Sequence, residues 1–95
     1  MNLRNKFQEV LHNKAQINIG KSGIDSESVL DHIMKMLKRE KIIKIHALKT
    51  ALLQKDIKGL AEELISRTNS YLLDVRGHTF IIAKFDIKKE LKKTK

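Results

Sequence analysis

Two glycines, Gly20 and Gly23, stand where the periodicity of this chain changes. Before them Gln16-Ile17-Asn18-Ile19 alternates polar and apolar residues, the period of a strand. After them Val29, Leu30, Ile33, Met36 and Leu37 recur at helical spacing. A strand must therefore become a helix across Gly20-Lys21-Ser22-Gly23, and glycine lets a backbone turn that tightly. The helix is predicted to open at about Asp25, a good N-capping residue, with Ile24 and Val29 placed as a hydrophobic staple. Lys38, Arg39 and Lys41 load its other end with positive charge, as the helix dipole favours.

The remaining elements follow from the same periodicities. Leu3, Phe7, Val10 and Leu11 give a short amphipathic first helix. Ile42 to Leu48 reads as a second strand, largely buried, while Lys49 to Lys55 admits either helix or loop. From about Asp56, the residues Ile57, Leu60, Ala61, Leu64 and Ile65 predict a third helix ending near Thr68-Asn69. Ser70–Arg76 and His78–Phe85 are two apolar strands around Gly77, a tight hairpin. The predicted order is α-β-α-β-α-β-β: a single α/β domain with a four-stranded mixed sheet over residues 1–86. A lysine-rich tail, residues 87–95, follows it. Ninety-five residues support one hydrophobic core and not two.

Charge narrows the function. The formal net charge is +9, of which Lys84 to Lys95 carry +4, and the isoelectric point is near 9.9. Such a balance suits a polyanionic partner, although an anionic membrane surface would also attract it. With no cysteine, disulfides, zinc ribbons and thiol chemistry are excluded. No apolar run approaches the ~18 residues of a membrane span, and no signal-peptide stretch is present. A soluble, cytoplasmic protein with no membrane partner is expected.

The glycine-bracketed turn leads to a helix N-terminus, whose unpaired N–H groups favour anions, phosphate above all. Lys21 lies on that turn, so Gly20, Lys21, Ser22 and Gly23 are the candidate contacts to a nucleic-acid backbone. Arg4, Lys6 and Lys14 on or beside the first helix, Arg76 and His78 at the hairpin, and Lys84 near the end of the last strand are candidate co-contacts. Any one of them alone is an ordinary solvated charge. Together they matter, since the logarithmic salt slope for single strands is roughly −0.7 per neutralised phosphate. The segment Ala15 to Ser22 also differs from the Walker A pattern only at its first glycine. The strand-like alternation of Ile17 and Ile19 argues against a phosphate cradle there.

Aromatic residues number four, Phe7, Tyr71, Phe80 and Phe85, with Phe7 and Phe80 expected in the core. A base-stacking sheet is therefore not expected, and recognition should rest on backbone and shape. No catalytic set emerges. His12, His32, His46 and His78 lack metal-ligand spacing, Ser22 has no evident base, and Asp25 and Asp74 have structural explanations. No enzyme activity, cofactor or metal is expected.

At this point the residues resemble a known family. Ile19-Gly20-Lys21-Ser22-Gly23-Ile24 after the first strand, Ile42-Ile43-Lys44-Ile45, and Val75-Arg76-Gly77-His78-Thr79-Phe80 at the hairpin look like the CRM domain, or YhbY family. The name stands for chloroplast RNA splicing and ribosome maturation. The resemblance runs from about Leu3 to Lys84. It implies a fold similar to the C-terminal domain of bacterial translation initiation factor three. It further implies RNA contact through the GxxG loop, and ribosomal RNA or large-subunit precursor particles as partners. The family's last strand usually ends in Tyr-Arg, whereas this chain has Ala83-Lys84, keeping the charge without the ring.

Two other classes compete. A protein-docking, ribosome-associated factor would expose an apolar patch of several hundred Å². A small DNA-binding domain would need arginine, asparagine or glutamine along one outer helix face. The helix after the glycine turn offers mostly acidic residues and lysines instead.

Overall fold

The computed structural model describes residues 3–20, 26–53 and 55–86. Helices α1 (Leu3–His12), α2 (Glu27–Glu40) and α3 (Ile57–Thr68) alternate with strands β1 (Ile17–Ile19), β2 (Ile42–Ala47), β3 (Tyr71–Arg76) and β4 (Thr79–Ala83). This is the predicted order, and the segment left open between β2 and α3 contains a short 3₁₀ turn, Lys49–Leu52. The four strands form one mixed sheet in the order β1-β2-β4-β3. β1 runs parallel to β2, with α2 as the crossover, and the other two pairings are antiparallel.

Strand alternation divides the apolar side chains between two layers. Ile17, Ile19, Ile43, Ile45, Ala47, Phe80 and Ile82 pack under α2 and α3 around Ile33, Leu37, Leu60, Ala61 and Leu64. On the other face Ile42, Ile81 and Ala83 meet Val10, with Leu3, Phe7 and Leu11 beside them on α1. Phe80 is thus a core residue, as expected, while Phe7 packs half-buried against the second layer. A bulge between Leu72 and Asp74 sets Leu73 against the α1 layer while Leu72 and Val75 join the other one.

Local chemistry fixes the helix ends. Asp56 caps α3, its Oδ1 accepting from the Gly59 amide at 2.7 Å, and Asn69 ends it in the left-handed conformation that asparagine tolerates. The N-cap of α2 is Ser26, not Asp25: the Ser26 hydroxyl accepts from the Val29 amide at 3.5 Å. Asp25 and the staple residue Ile24 lie outside the described residues. Helix α1 ends over Lys44, whose ammonium donates to the carbonyls of Leu11 at 3.1 Å and Asn13 at 3.0 Å. A cation there satisfies orphaned carbonyls and suits the helix dipole.

Candidate nucleic-acid interface

The chain arrangement gathers three connections at one end of the sheet. Because β1 and β2 are parallel, both deliver their C-terminal ends there, and the β3–β4 turn arrives beside them. Leu48 N–H donates to the Ile19 carbonyl at 2.9 Å, and Ala47 N–H to the His78 carbonyl at 2.8 Å. Gly20, the 3₁₀ turn and the hairpin tip around Gly77 therefore share one edge. Of the predicted turn, Gly20 lies on this edge, while Lys21, Ser22 and Gly23 lie outside the described residues.

Gly20 itself has room. A Cβ built on it would meet Thr50 Oγ1 at 3.5 Å and Leu48 Cδ1 at 3.8 Å, ordinary van der Waals distances. Packing does not demand a glycine at that position. Gly77 differs, with φ at +55° and nothing within 4 Å of a Cβ. The α2 N-terminus is also less bare than the sequence implied. Ser26 satisfies the Val29 amide, and Glu27 already places a negative charge in the first turn.

The other predicted co-contacts separate into two groups. Arg76 and His78 border the gathered edge. Lys14 is exposed just before β1 and lines a surface hollow with Ala15, Asn18, Lys44, His46 and Thr79. Lys6 and Lys84 lie elsewhere, which for Lys6 corrects the expectation that it neighbours the turn. Lys6 pairs with Glu40 at 2.9 Å at the C-terminal end of α2, about 20 Å along the helix from Glu27. Lys84 N–H donates to the Lys41 carbonyl at that same far end. Its ammonium sits 5.8 Å from the centre of the Phe85 ring, as does that of Lys41. Arg4 occupies the first turn of α1, the part of that helix that carries Lys6. Residues 87–95, with the rest of the lysine tail, lie outside the described residues.

Sequence reasoning missed what α1 leaves uncovered. That helix shields the half of its sheet face built from Ile42, Ala83 and Ile81, and the half toward Gly20 stays open. Across the open half runs one polar row through all four strands: Asn18 opposite His46, His46 opposite Thr79, Thr79 opposite Arg76. At ~4.8 Å per strand the row is about 14 Å long. Its members are tied to one another, to backbone or to a neighbouring carboxylate. Asn18 Oδ1 lies 3.3 Å from His46 Nδ1, and Thr79 Oγ1 donates to the Arg76 carbonyl at 2.8 Å. Arg76 pairs with Asp74 at 2.9 Å. The signal was present in Ile43-Lys44-Ile45-His46-Ala47, where every second residue is polar. Reading that strand as largely buried hid it.

Among the described residues, no group of three histidine, cysteine, aspartate or glutamate side chains is placed to hold a metal ion. Exposed large apolar side chains occur at both ends of the sheet and on α2: Leu48 and Leu53 toward Gly20, Tyr71 and Phe85 away from it, and Met34 on the helix.

A solved structure shares this architecture. The hypothetical protein SAV1595 of Staphylococcus aureus, described as a candidate RNA-binding protein, is 26% identical. The match covers 87% of this chain and 83% of that one, with a TM-score of 0.63. No curated protein sequence matches the chain significantly. The model of the CRS1 / YhbY (CRM) domain matches residues 2–84. With nearly its whole length inside that match, and with a four-stranded mixed sheet between helices, the chain belongs to the CRS1/YhbY (CRM) domain family.

Proposed function

We propose that this protein binds RNA through the end of the sheet where Gly20, the Lys49–Leu52 turn and the β3–β4 hairpin meet. The backbone of the Gly20–Gly23 turn would contact phosphates, with Lys21 and Ser22 beside it. Lys14, Arg76 and His78 extend the grip along the open half-face. Lys6 and Lys84, at the far end, are not part of this grip. A ribosomal RNA precursor of the large subunit is the target that the family resemblance implies.

The observation that carries this reading is the polar row Asn18-His46-Thr79-Arg76, which runs beside that edge in a chain of net charge +9. Family membership and the described role of the similar structure support it from outside the geometry. A protein-docking surface is less well supported, since the exposed apolar side chains divide between the two ends of the sheet and α2.

Titration with single-stranded RNA, duplex RNA and duplex DNA at two salt concentrations tests the proposal. RNA should bind tightest, with a logarithmic salt slope near −3 for roughly four phosphate contacts. Equal affinity for duplex DNA, or a slope near zero, would overturn it.

A further inference from the structure

The hollow on the polar row brings several hydrogen-bonding side chains together in a partly apolar wall. Its volume is about 350 Å³, and Lys14, Asn18, Lys44, His46 and Thr79 contribute to its walls. Lys44 spends two of its N–H groups on the end of α1. The Asn18 carbonyl oxygen faces His46 Nδ1 at 3.3 Å. That oxygen can only accept, so Nδ1 is the donor of this pair, and in the tautomer whose one proton sits there Nε2 is left as an acceptor. The Asn18 amide meanwhile keeps its NH₂ group for a ligand. The side chains of this strand pair therefore offer a donor and an acceptor close together, with Lys14 in the wall of the same hollow.

That pattern decides between ligand groups. In that tautomer a phosphate oxygen facing Nε2 would set one acceptor against another. For a stacked base the hollow offers the His46 imidazole, whose Nδ1 is engaged by Asn18, and no phenylalanine, tyrosine or tryptophan. A hydroxyl flanked by a phosphate fits, because it donates to Nε2 and accepts from the Asn18 amide. In a nucleic acid the hydroxyl so placed is the ribose 2′-OH, the group that separates RNA from DNA. We infer that this hollow seats a ribose of the bound RNA and reads its 2′-hydroxyl through Asn18 and His46, with Lys14 on the adjoining phosphate. The inference rests on the proposed RNA binding and adds to it a means of rejecting DNA.

The test compares a fluorescein-labelled single-stranded RNA, the DNA of the same sequence, and the 2′-O-methyl RNA, by anisotropy. The parent protein should bind the RNA about fivefold more tightly than the other two, the size of one net hydrogen bond. Asn18→Ala and His46→Ala should each bring the RNA-over-DNA preference close to one, with melting curves showing both variants folded. The methylated RNA probes the parent protein and needs no variant. Equal binding of RNA and DNA by the parent, an unchanged preference in both variants, or parallel losses on RNA and DNA would each overturn the hollow's role. Failure of the parent to bind RNA at all would overturn the proposed function and this inference with it.

Discussion

Lys6 on α1 donates to Glu40 at the end of α2, Nζ to Oε1 at 2.9 Å, across 34 positions of sequence. The pair joins helices that pack on opposite faces of the sheet. The hydrogen bond from Lys6, then its charge, then Arg39, hold the Glu40 carboxyl below its ordinary value of 4.5. A group whose folded value is depressed contributes fully above its unfolded value and loses that contribution as pH falls through the folded one. Glu40→Gln should therefore cost about 0.5 kcal/mol at neutral pH. Melting curves taken at descending pH should converge for parent and variant below the carboxylate range. A constant gap down to acid pH would show that Glu40 acts through something other than its charge.

The capping residue of α3 is open to an equally direct check. Asp56→Ala removes the acceptor of the Gly59 amide and should destabilise by about 1 kcal/mol. Gly59→Ala normally improves a helix, but here the new Cβ would lie 2.9 Å from Asp56 Oδ1. Its gain should fall short of the ordinary ~1 kcal/mol for that substitution. Urea denaturation of both variants measures the two effects, and a full gain for Gly59→Ala would mean the cap readjusts freely.

Most of the fold was legible because each element carried a clean period. Ile57, Leu60, Ala61, Leu64 and Ile65 could only be a helix face, and Gly77 between apolar runs could only be a hairpin. The end of α2 was less legible, since Asp25 and Ser26 are both good caps and sequence cannot rank two adjacent ones. The candidate interface was legible only at its edge. Lys6 looked close to the glycine turn because α1 precedes β1 directly. Yet a helix of ten residues has two ends, and the ion pair with Glu40 puts Lys6 at the wrong one. The polar row escaped notice for a different reason. Ile42 and Ile43 are apolar on both faces, since α1 covers the first part of β2 and leaves the rest open, so one strand follows two patterns.

Gly20 separates stability from binding in a single substitution. Its φ is not in the left-handed region, and a Cβ there would meet neighbours at 3.5 Å or beyond. Gly20→Ala should thus leave the melting temperature almost unchanged, within the ~0.5 kcal/mol usual for neutral surface changes. If the backbone of this turn approaches RNA phosphates, the added methyl group holds them off and affinity should fall several-fold. Unchanged affinity would remove Gly20 from the interface. Gly77→Ala is the control, since it should lose about 1 kcal/mol of stability to its φ of +55°.

Arg76 and its neighbour Asp74 make the charge contribution of the hairpin measurable. The two are joined at 2.9 Å, and the Arg76 side chain is 71% exposed, so the pair itself adds little stability. An approaching phosphate must compete with the Asp74 carboxylate for the guanidinium. Asp74→Asn should therefore strengthen RNA binding, because it frees Arg76 and removes a repelling charge. Arg76→Ala should weaken binding and reduce the salt slope by about 0.7, one phosphate contact on a single strand. Lys84→Ala, at the opposite end of the sheet, should change neither. Affinities measured at three or more salt concentrations distinguish these outcomes. A slope lowered by Lys84→Ala and untouched by Arg76→Ala would place the RNA at the Phe85 end of the molecule, and with it would fall the assignment of the Gly20 edge.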